Sequence, residues 1–162
     1  MPDALIGLGG NIGDARKTIE LAIALLCDGP DVRLLARSSD YRTPPWGVED
    51  QPDFINACIE LETKIAPHPL FRHCQNIENA LGRERTAERR WGRRRIDIDL
   101  LAYDDVLLTT PELTLPHPRL FERAFALVPL AEIVPERMIA GRRVRDAVRE
   151  VDTRGIDRLP PR

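Results

Sequence analysis

The sequence predicts an α/β (α+β) fold, a ferredoxin-like βαββαβ sandwich with C-terminal additions, and three observations predict it. Apolar residues recur at helical spacing in two stretches, 15–27 and 67–81. Strand-type runs at 4–9, 32–43, 53–65 and 95–103 put two strands between those helices, the order of the split βαβ unit, over roughly residues 3–105. No repeat, linker or low-complexity tract breaks the 162 residues, so one domain over 1–162 is expected, long enough to bury a core without disulfides.

Each element has a local cause. Ala4-Leu5-Ile6-Gly7-Leu8-Gly9 reads as a buried first strand, followed by a turn, Gly10-Asn11-Ile12-Gly13-Asp14. The glycines of 7–13 supply the backbone freedom of a strand-to-helix turn, and Asp14 is the N-cap. Ala15, Ile19, Ala22, Ile23 and Leu26 form the apolar stripe of the first helix, which Asp28-Gly29-Pro30 ends. In 32–43, Val32, Leu34 and Ala36 alternate with Arg33, Leu35 and Arg37 as a second strand. Three prolines and Gly47 keep 43–52 irregular. The third strand, 53–65, puts Phe54, Asn56, Cys58, Glu60 and Glu62 on one face and Ile55, Ala57, Ile59 and Leu61 on the other. Leu70, Cys74, Ile77 and Leu81 stripe the second helix, and Gly82 suits its C′ position. The fourth strand, 95–103, is expected to have a short hairpin partner at 106–109. A proline-punctuated stretch over 110–123, short helices near 125–133 and 143–151, and a frayed tail at 158–162 complete the chain.

Composition excludes several classes of function. Apolar residues make up 43% and charged residues 31%, with a net charge of −2, which argues against a general nucleic-acid binder. The apolar runs are far too short to span a membrane, and Met1-Pro2-Asp3-Ala4-Leu5 has neither the basic nor the apolar region of a signal peptide. Cys27, Cys58 and Cys74 lack paired or metal-type spacing, so they read as reduced core residues of a cytoplasmic protein. The balance hides an island: residues 83–95 hold seven arginines and two glutamates, a local charge of +5.

Five constellations bear on chemistry. Asp97 and Asp99, at i and i+2 on a strand, project from one face while Ile96, Ile98 and Leu100 take the other. Such a pair either holds a hard cation such as Mg²⁺ or is a solvent-facing pair neutralised by nearby arginines. The arginine-rich loop before it offers guanidinium forks to phosphate, with Trp91 able to cap a planar group; the plain alternative is a solvated charged loop. Pro116-His117-Pro118-Arg119, with Arg123 and Phe125, holds a histidine rigidly among cations, either for phosphate or as a packed turn. Phe54 and Asn56 share a strand face, where a ring can stack on a heterocycle and an amide can read its edge, or where both are simply half-buried. Gly7 to Gly13 fails the G-x-G-x-x-G spacing because position 12 is isoleucine, and no G-K-[ST] is present, so the dinucleotide and P-loop readings are rejected.

Together these stretches resemble the 6-hydroxymethyl-7,8-dihydropterin pyrophosphokinases of folate biosynthesis along nearly the whole chain. Tyr41-Arg42-Thr43-Pro44-Pro45-Trp46-Gly47 and Asp50-Gln51-Pro52-Asp53-Phe54-Ile55-Asn56-Ala57 are similar to the family's pterin loop and strand. Glu88-Arg89-Arg90-Trp91-Gly92-Arg93-Arg94-Arg95-Ile96-Asp97-Ile98-Asp99-Leu100 is similar to its R-W-G-P-R-x-[IL]-D-[IL]-D signature, with Arg93 in place of the proline. Pro116-His117-Pro118-Arg119 with Arg123 and Phe125 is similar to its nucleotide-side segment.

The resemblance implies a single pterin pyrophosphokinase domain, a transferase that moves the β,γ-diphosphate of ATP to the pterin hydroxymethyl group and releases AMP. It implies that Asp97 and Asp99 hold two Mg²⁺ ions and that Arg83 and Arg94 act with them as catalytic residues. Gln75, Trp91, Thr114, His117 and Arg123 fall on the ATP side. Thr43, Pro44, Trp46, Phe54, Asn56 and Phe125 fall on the pterin side, with the pterin between the rings of Phe54 and Phe125. Glu78 is a support residue on the second helix. Partners are the two small-molecule substrates, with no nucleic acid and no membrane, and the chain is a monomer or weak homodimer. Two other readings are weighed: an RNA-binding ferredoxin-like module, disfavoured by 5% aromatics and an acidic sheet face, and a palm-like nucleotidyl transferase, which would release pyrophosphate instead of AMP.

Overall fold

A computed structural model of the chain describes residues 1–45, 50–82 and 95–162. In chain order the elements are β1 (Asp3–Gly10), α1 (Ala15–Leu26), β2 (Val32–Arg37), β3 (Tyr41–Thr43), β4 (Phe54–Thr63), α2 (Pro67–Leu81) and β5 (Asp97–Tyr103). Then come β6 (Leu108–Thr109), β7 (Thr114–Leu115), a 3₁₀ turn at Leu120–Glu122, α3 (Ala124–Ile133), β8 (Met138–Ile139), β9 (Arg142–Arg143), α4 (Val144–Val148) and β10 (Asp157–Arg158).

The main sheet runs β10-β3-β4-β1-β5, with β2 also paired to β4, and its pairs are antiparallel. This is the split βαβ order, with β4 between β1 and the β2/β3 pair. One face packs Ala4, Ile6 and Leu8 of β1 and Ala57, Ile59 and Leu61 of β4 against Ile19, Ile23 and Leu26 of α1 and Leu70, Cys74 and Ile77 of α2. The opposite face buries Leu5, Cys58 and Leu101 under Leu127 and Leu130 of α3 and Val144 and Ala147 of α4. The C-terminal additions therefore build a second core on the sheet face that the two expected helices leave open.

Local chemistry sets the boundaries. Asp14 caps α1 by accepting from the Lys17 N–H at 3.2 Å. Gly13 has φ +61, the left-handed conformation expected of the turn, whereas Gly7, Gly9 and Gly10 lie in the extended β1 strand. Gly82 ends α2 at φ −104, so it is not a left-handed cap; a Cβ there would lie 2.9 Å from the Glu78 carbonyl oxygen. A register shift lets Leu101 and Ala102 both face the second core, between Leu100 and Tyr103 in the first.

Three elements differ from the sequence reading. The expected strand 32–43 is two strands, broken at 38–40, because the buried carboxylate of Asp40 must be paired. It takes Arg16 at 2.9 Å and Arg37 at 3.0 Å, and the chain bends to allow both. The hairpin partner at 106–109 pairs with β7, not β5, because Asp104 turns the chain away at φ +45. The tail is not frayed: β10 pairs with β3. Among the described residues no helix is long and apolar enough to cross a membrane.

Candidate functional site

Two rows of residues cross the sheet under α3. Gly9 of β1 lies between Asn56 of β4 and Asp97 of β5, and Gly7 lies between Cys58 and Asp99. With glycine in the middle strand of each row, the sheet sinks into a trough flanked by amide and thiol on one side and two carboxylates on the other. A cavity of about 150 Å³ occupies this trough, closed by Thr43 at the end of β3, by Pro44 after it, and by Arg123, Phe125 and Ala126 around the start of α3.

The space at Gly9 is obligatory. A Cβ there would press into Asn56 Oδ1, well inside van der Waals contact, and would sit 3.4 Å from the Ile55 carbonyl. Asn56 is held on its other side: its Nδ2 donates to Thr43 Oγ1 at 2.8 Å, and both residues are buried. The Asn56 amide oxygen is thus oriented by the sheet. Asn11 Nδ2 donates to Gln51 Oε1 at 2.8 Å and to the Pro52 carbonyl at 3.0 Å, fixing the chain that leads into Phe54. Phe54 and Phe125, both half-buried, bring one aromatic ring each from β4 and α3. Cys58 donates its thiol to the Ala126 carbonyl at 3.4 Å, and burial pushes its pKa well up, so it is an uncharged wall.

The acidic side is built from β5. Asp97 and Asp99 face the trough, and Asp99 keeps 35% of its side chain exposed. Arg123 Nη1 lies 3.3 Å from Asp99 Oδ2, and its guanidinium stands 5.5 Å over the Phe125 ring. Between the two aspartates, the Ile98 N–H donates to Glu78 Oε2 at 2.7 Å, tying α2 to the strand. His117 is anchored by its own N–H to the Leu101 carbonyl at 2.8 Å, and its Nδ1 accepts from the Arg119 N–H at 3.1 Å. That contact leaves the ring proton on Nε2. Burial, then Arg123 and Arg119, push the His117 pKa down to about 4, so the ring is neutral at pH 7.

The cavity gathers Thr43, Pro44, Phe54, Asn56, Asp97, Asp99, Arg123 and Phe125 from the sequence-predicted set. Gln75 is exposed on α2 and Thr114 lies on β7, and neither lines the cavity; His117 stands next to it through Leu101. Trp46, Arg83, Trp91 and Arg94 lie outside the described residues. Sequence reasoning missed Gly7, Gly9, Cys58, Leu101 and Ala126 as lining. The signal for the glycines is their i, i+2 spacing within a strand, which puts both on one face.

Among the described residues no three His, Cys, Asp or Glu side chains gather at one point as a closed metal cage. Two carboxylates on one face suit Mg²⁺, which binds through one or two carboxylates and keeps its other positions for water and phosphate oxygens.

A family model for 7,8-dihydro-6-hydroxymethylpterin-pyrophosphokinase (HPPK) matches residues 5–135. Over 159 residues the chain is 50% identical to a 2-amino-4-hydroxy-6-hydroxymethyldihydropteridine pyrophosphokinase of Methylorubrum extorquens, covering 98% of this chain and 99% of that protein. It is 45% identical over 130 residues to the Bacillus subtilis protein of the same name, covering 80% and 77%. The crystal structure of Plasmodium falciparum HPPK-DHPS with SDX-DHP shares the fold at a TM-score of 0.70 and 15% identity, over 93% of this chain and 43% of that one.

Proposed function

The chain belongs to the 7,8-dihydro-6-hydroxymethylpterin-pyrophosphokinase family and is an ATP-dependent diphosphotransferase of folate biosynthesis, and on that premise we propose how its trough carries the reaction. The hydroxymethyl oxygen of 6-hydroxymethyl-7,8-dihydropterin attacks the β-phosphorus of ATP. The bond between that phosphorus and the α,β-bridging oxygen breaks, AMP leaves with the bridging oxygen, and the hydroxyl proton passes to solvent. The observation that supports this placement is the pair of rows across the sheet, which sets an aromatic and amide side against an acidic side.

The pterin lies between Phe54 and Phe125, with Asn56 and Thr43 reading its polar edge and Pro44 at the rim; Trp46 is assigned to the pterin by the sequence resemblance alone. Its hydroxymethyl group then points across the glycines toward β5. Asp97 and Asp99 are the residues that would hold Mg²⁺, two ions in the full complex. Bound Mg²⁺ neutralises phosphate charge and favours ionisation of the attacking hydroxyl. Arg123 contacts the phosphates from beside Asp99. Neutral His117 offers its Nε2–H to a phosphate oxygen, a donor that needs no protonation at pH 7. Arg83 and Arg94 are assigned catalytic roles and Trp91 an ATP-binding role by the sequence resemblance alone, and Gln75 and Thr114 are assigned to the nucleotide. In-line positioning and electrostatic stabilisation supply the rate, and no side-chain base is required. One domain over 1–162 does this in the cytoplasm, as a monomer or weak homodimer.

A nucleotide product assay tests the reading. With ATP, Mg²⁺ and the dihydropterin, AMP is expected, and only when all three are present. Release of pyrophosphate or ADP in place of AMP would overturn it.

A further inference from the structure

Residues 155–162 cross from the second core to the rim of the trough, beyond the 5–135 span of the family match. β10 adds itself to the outer edge of β3, with Asp157 opposite Arg42 and Arg158 opposite Tyr41. β3 is only three residues long, and its last residue is Thr43, the acceptor for Asn56. The Leu159 N–H donates to the Asp40 carbonyl at 2.9 Å, and Arg158 Nε donates to Ser39 Oγ at 3.0 Å, so the bend before β3 is held as well. Further on, the Pro160 carbonyl accepts from Arg16 Nη2 at 2.6 Å, and Arg162 forks onto both oxygens of Asp14, the N-cap of α1, at 2.6 and 2.9 Å.

At the start of this segment Gly155 adopts φ +83, and a Cβ there would stand 3.0 Å from Pro44 Cγ and 3.6 Å from Pro44 Cδ. The proline ring is rigid, so it cannot yield by rotating a side chain. Gly155 therefore fits where it does because it has neither a Cβ nor a preference against positive φ. Where the chain enters the 44–53 connection, Gly155 leaves beside Pro44 the space that a Cβ would fill, and where the chain leaves it Asn11 holds Gln51 and Pro52.

We propose that residues 155–162 are a strap that positions Pro44 and Thr43 for the pterin, with Gly155 as the positioning residue. The proposal rests on the pterin reading of the trough. The strap pairs with the short strand behind the rim and passes beside Pro44, on the pterin side of the trough, so its effect is expected on one substrate.

Steady-state KM for dihydropterin and for ATP, with melting temperatures, are compared for the full chain and for Gly155→Ala, Leu159→Pro and Phe54→Ala. Leu159→Pro deletes the N–H given to Asp40 while leaving Gly155 intact. Gly155→Ala is expected to raise the KM for dihydropterin about tenfold, and that for ATP by no more than about twofold. Leu159→Pro is expected to give the same selective effect at about threefold. In a Pro44→Ala background, Gly155→Ala is expected to add little to the dihydropterin KM, because the ring it pushes is gone, while the strain of its positive φ still lowers the melting temperature. Equal rises in both KM values with a falling melting temperature would reduce the strap to a structural element. Wild-type dihydropterin KM in Gly155→Ala and Leu159→Pro, with a raised value in Phe54→Ala, would overturn the strap and leave the pocket standing. An unchanged dihydropterin KM in Phe54→Ala would overturn the pocket and the strap with it.

Discussion

Adding one methyl group at Gly9 places the new carbon against Asn56 Oδ1, with Asn56 Cγ at 3.2 Å and the Ile55 carbonyl at 3.4 Å. The backbone cannot move aside, because Gly9 is paired on both sides, to Asn56 in β4 and Asp97 in β5. The Asn56 side chain must rotate instead, and its 2.8 Å bond to Thr43 breaks in a region where both residues are less than a tenth exposed. A lost buried hydrogen bond whose partners are left unmatched costs about 2 kcal/mol. For a chain of 162 residues that is a fall in melting temperature of about 6 °C. The amide that reads the pterin edge is misplaced by the same rotation, so dihydropterin affinity should fall about tenfold. Thermal melts and calorimetric titration with a non-hydrolysable ATP analogue present measure the two effects. Adding Asn56→Ala removes the oxygen that is struck, so the two substitutions should be strongly non-additive. If Gly9→Ala melts and binds dihydropterin as the wild type does, the trough is not shaped as described.

Asp97→Ala removes one of two like charges on a half-exposed strand face, so the fold should be retained while turnover falls at least about a hundredfold. Wild-type turnover in a folded variant would refute the metal-holding role. His117 has its pKa pushed from 6.5 down to about 4, so the unfolded chain takes up a proton first as the pH falls. Its contribution to stability is therefore present in full above pH 6.5 and is lost as the pH drops from there toward 4. Urea melts at pH 7.5 and pH 4.5 should show a smaller acid-induced loss in His117→Gln than in the wild type; equal losses would show that this ring is not held neutral by the fold.

The sequence carried the frame because the frame is periodic. Alternation in 53–65 separates Asn56 and Cys58 from Ala57 and Ile59, and the structure puts those pairs on opposite faces of β4. The same period places Asp97 and Asp99 together. The break at 38–40 was illegible because its cause is distant: Asp40 is buried with Arg16, 24 positions earlier. The register shift at Leu101 was likewise hidden, since an apolar run hides which residue is extra. Gly7 and Gly9 were visible but misattributed. A glycine needed for the absence of a side chain looks the same in sequence as one needed for a turn, and only Gly13 in this stretch has positive φ. The last residues look like a loose tail because prolines and exposed arginines are ordinary there. Their partners, Asp14, Arg16 and Asp40, lie more than a hundred positions away.

The contacts along β5 also bear on how an open strand edge is covered. β5 ends the sheet, and an end strand with open N–H and C=O groups is a template on which another chain can lay a strand. Here the Ile98 N–H is taken by a helix carboxylate and the Leu101 carbonyl by the N–H of His117. A foreign strand would have to displace both before it could add. The strand edge and the acidic pair thus share the same guards, and weakening either contact would open a pairing edge beside the two aspartates.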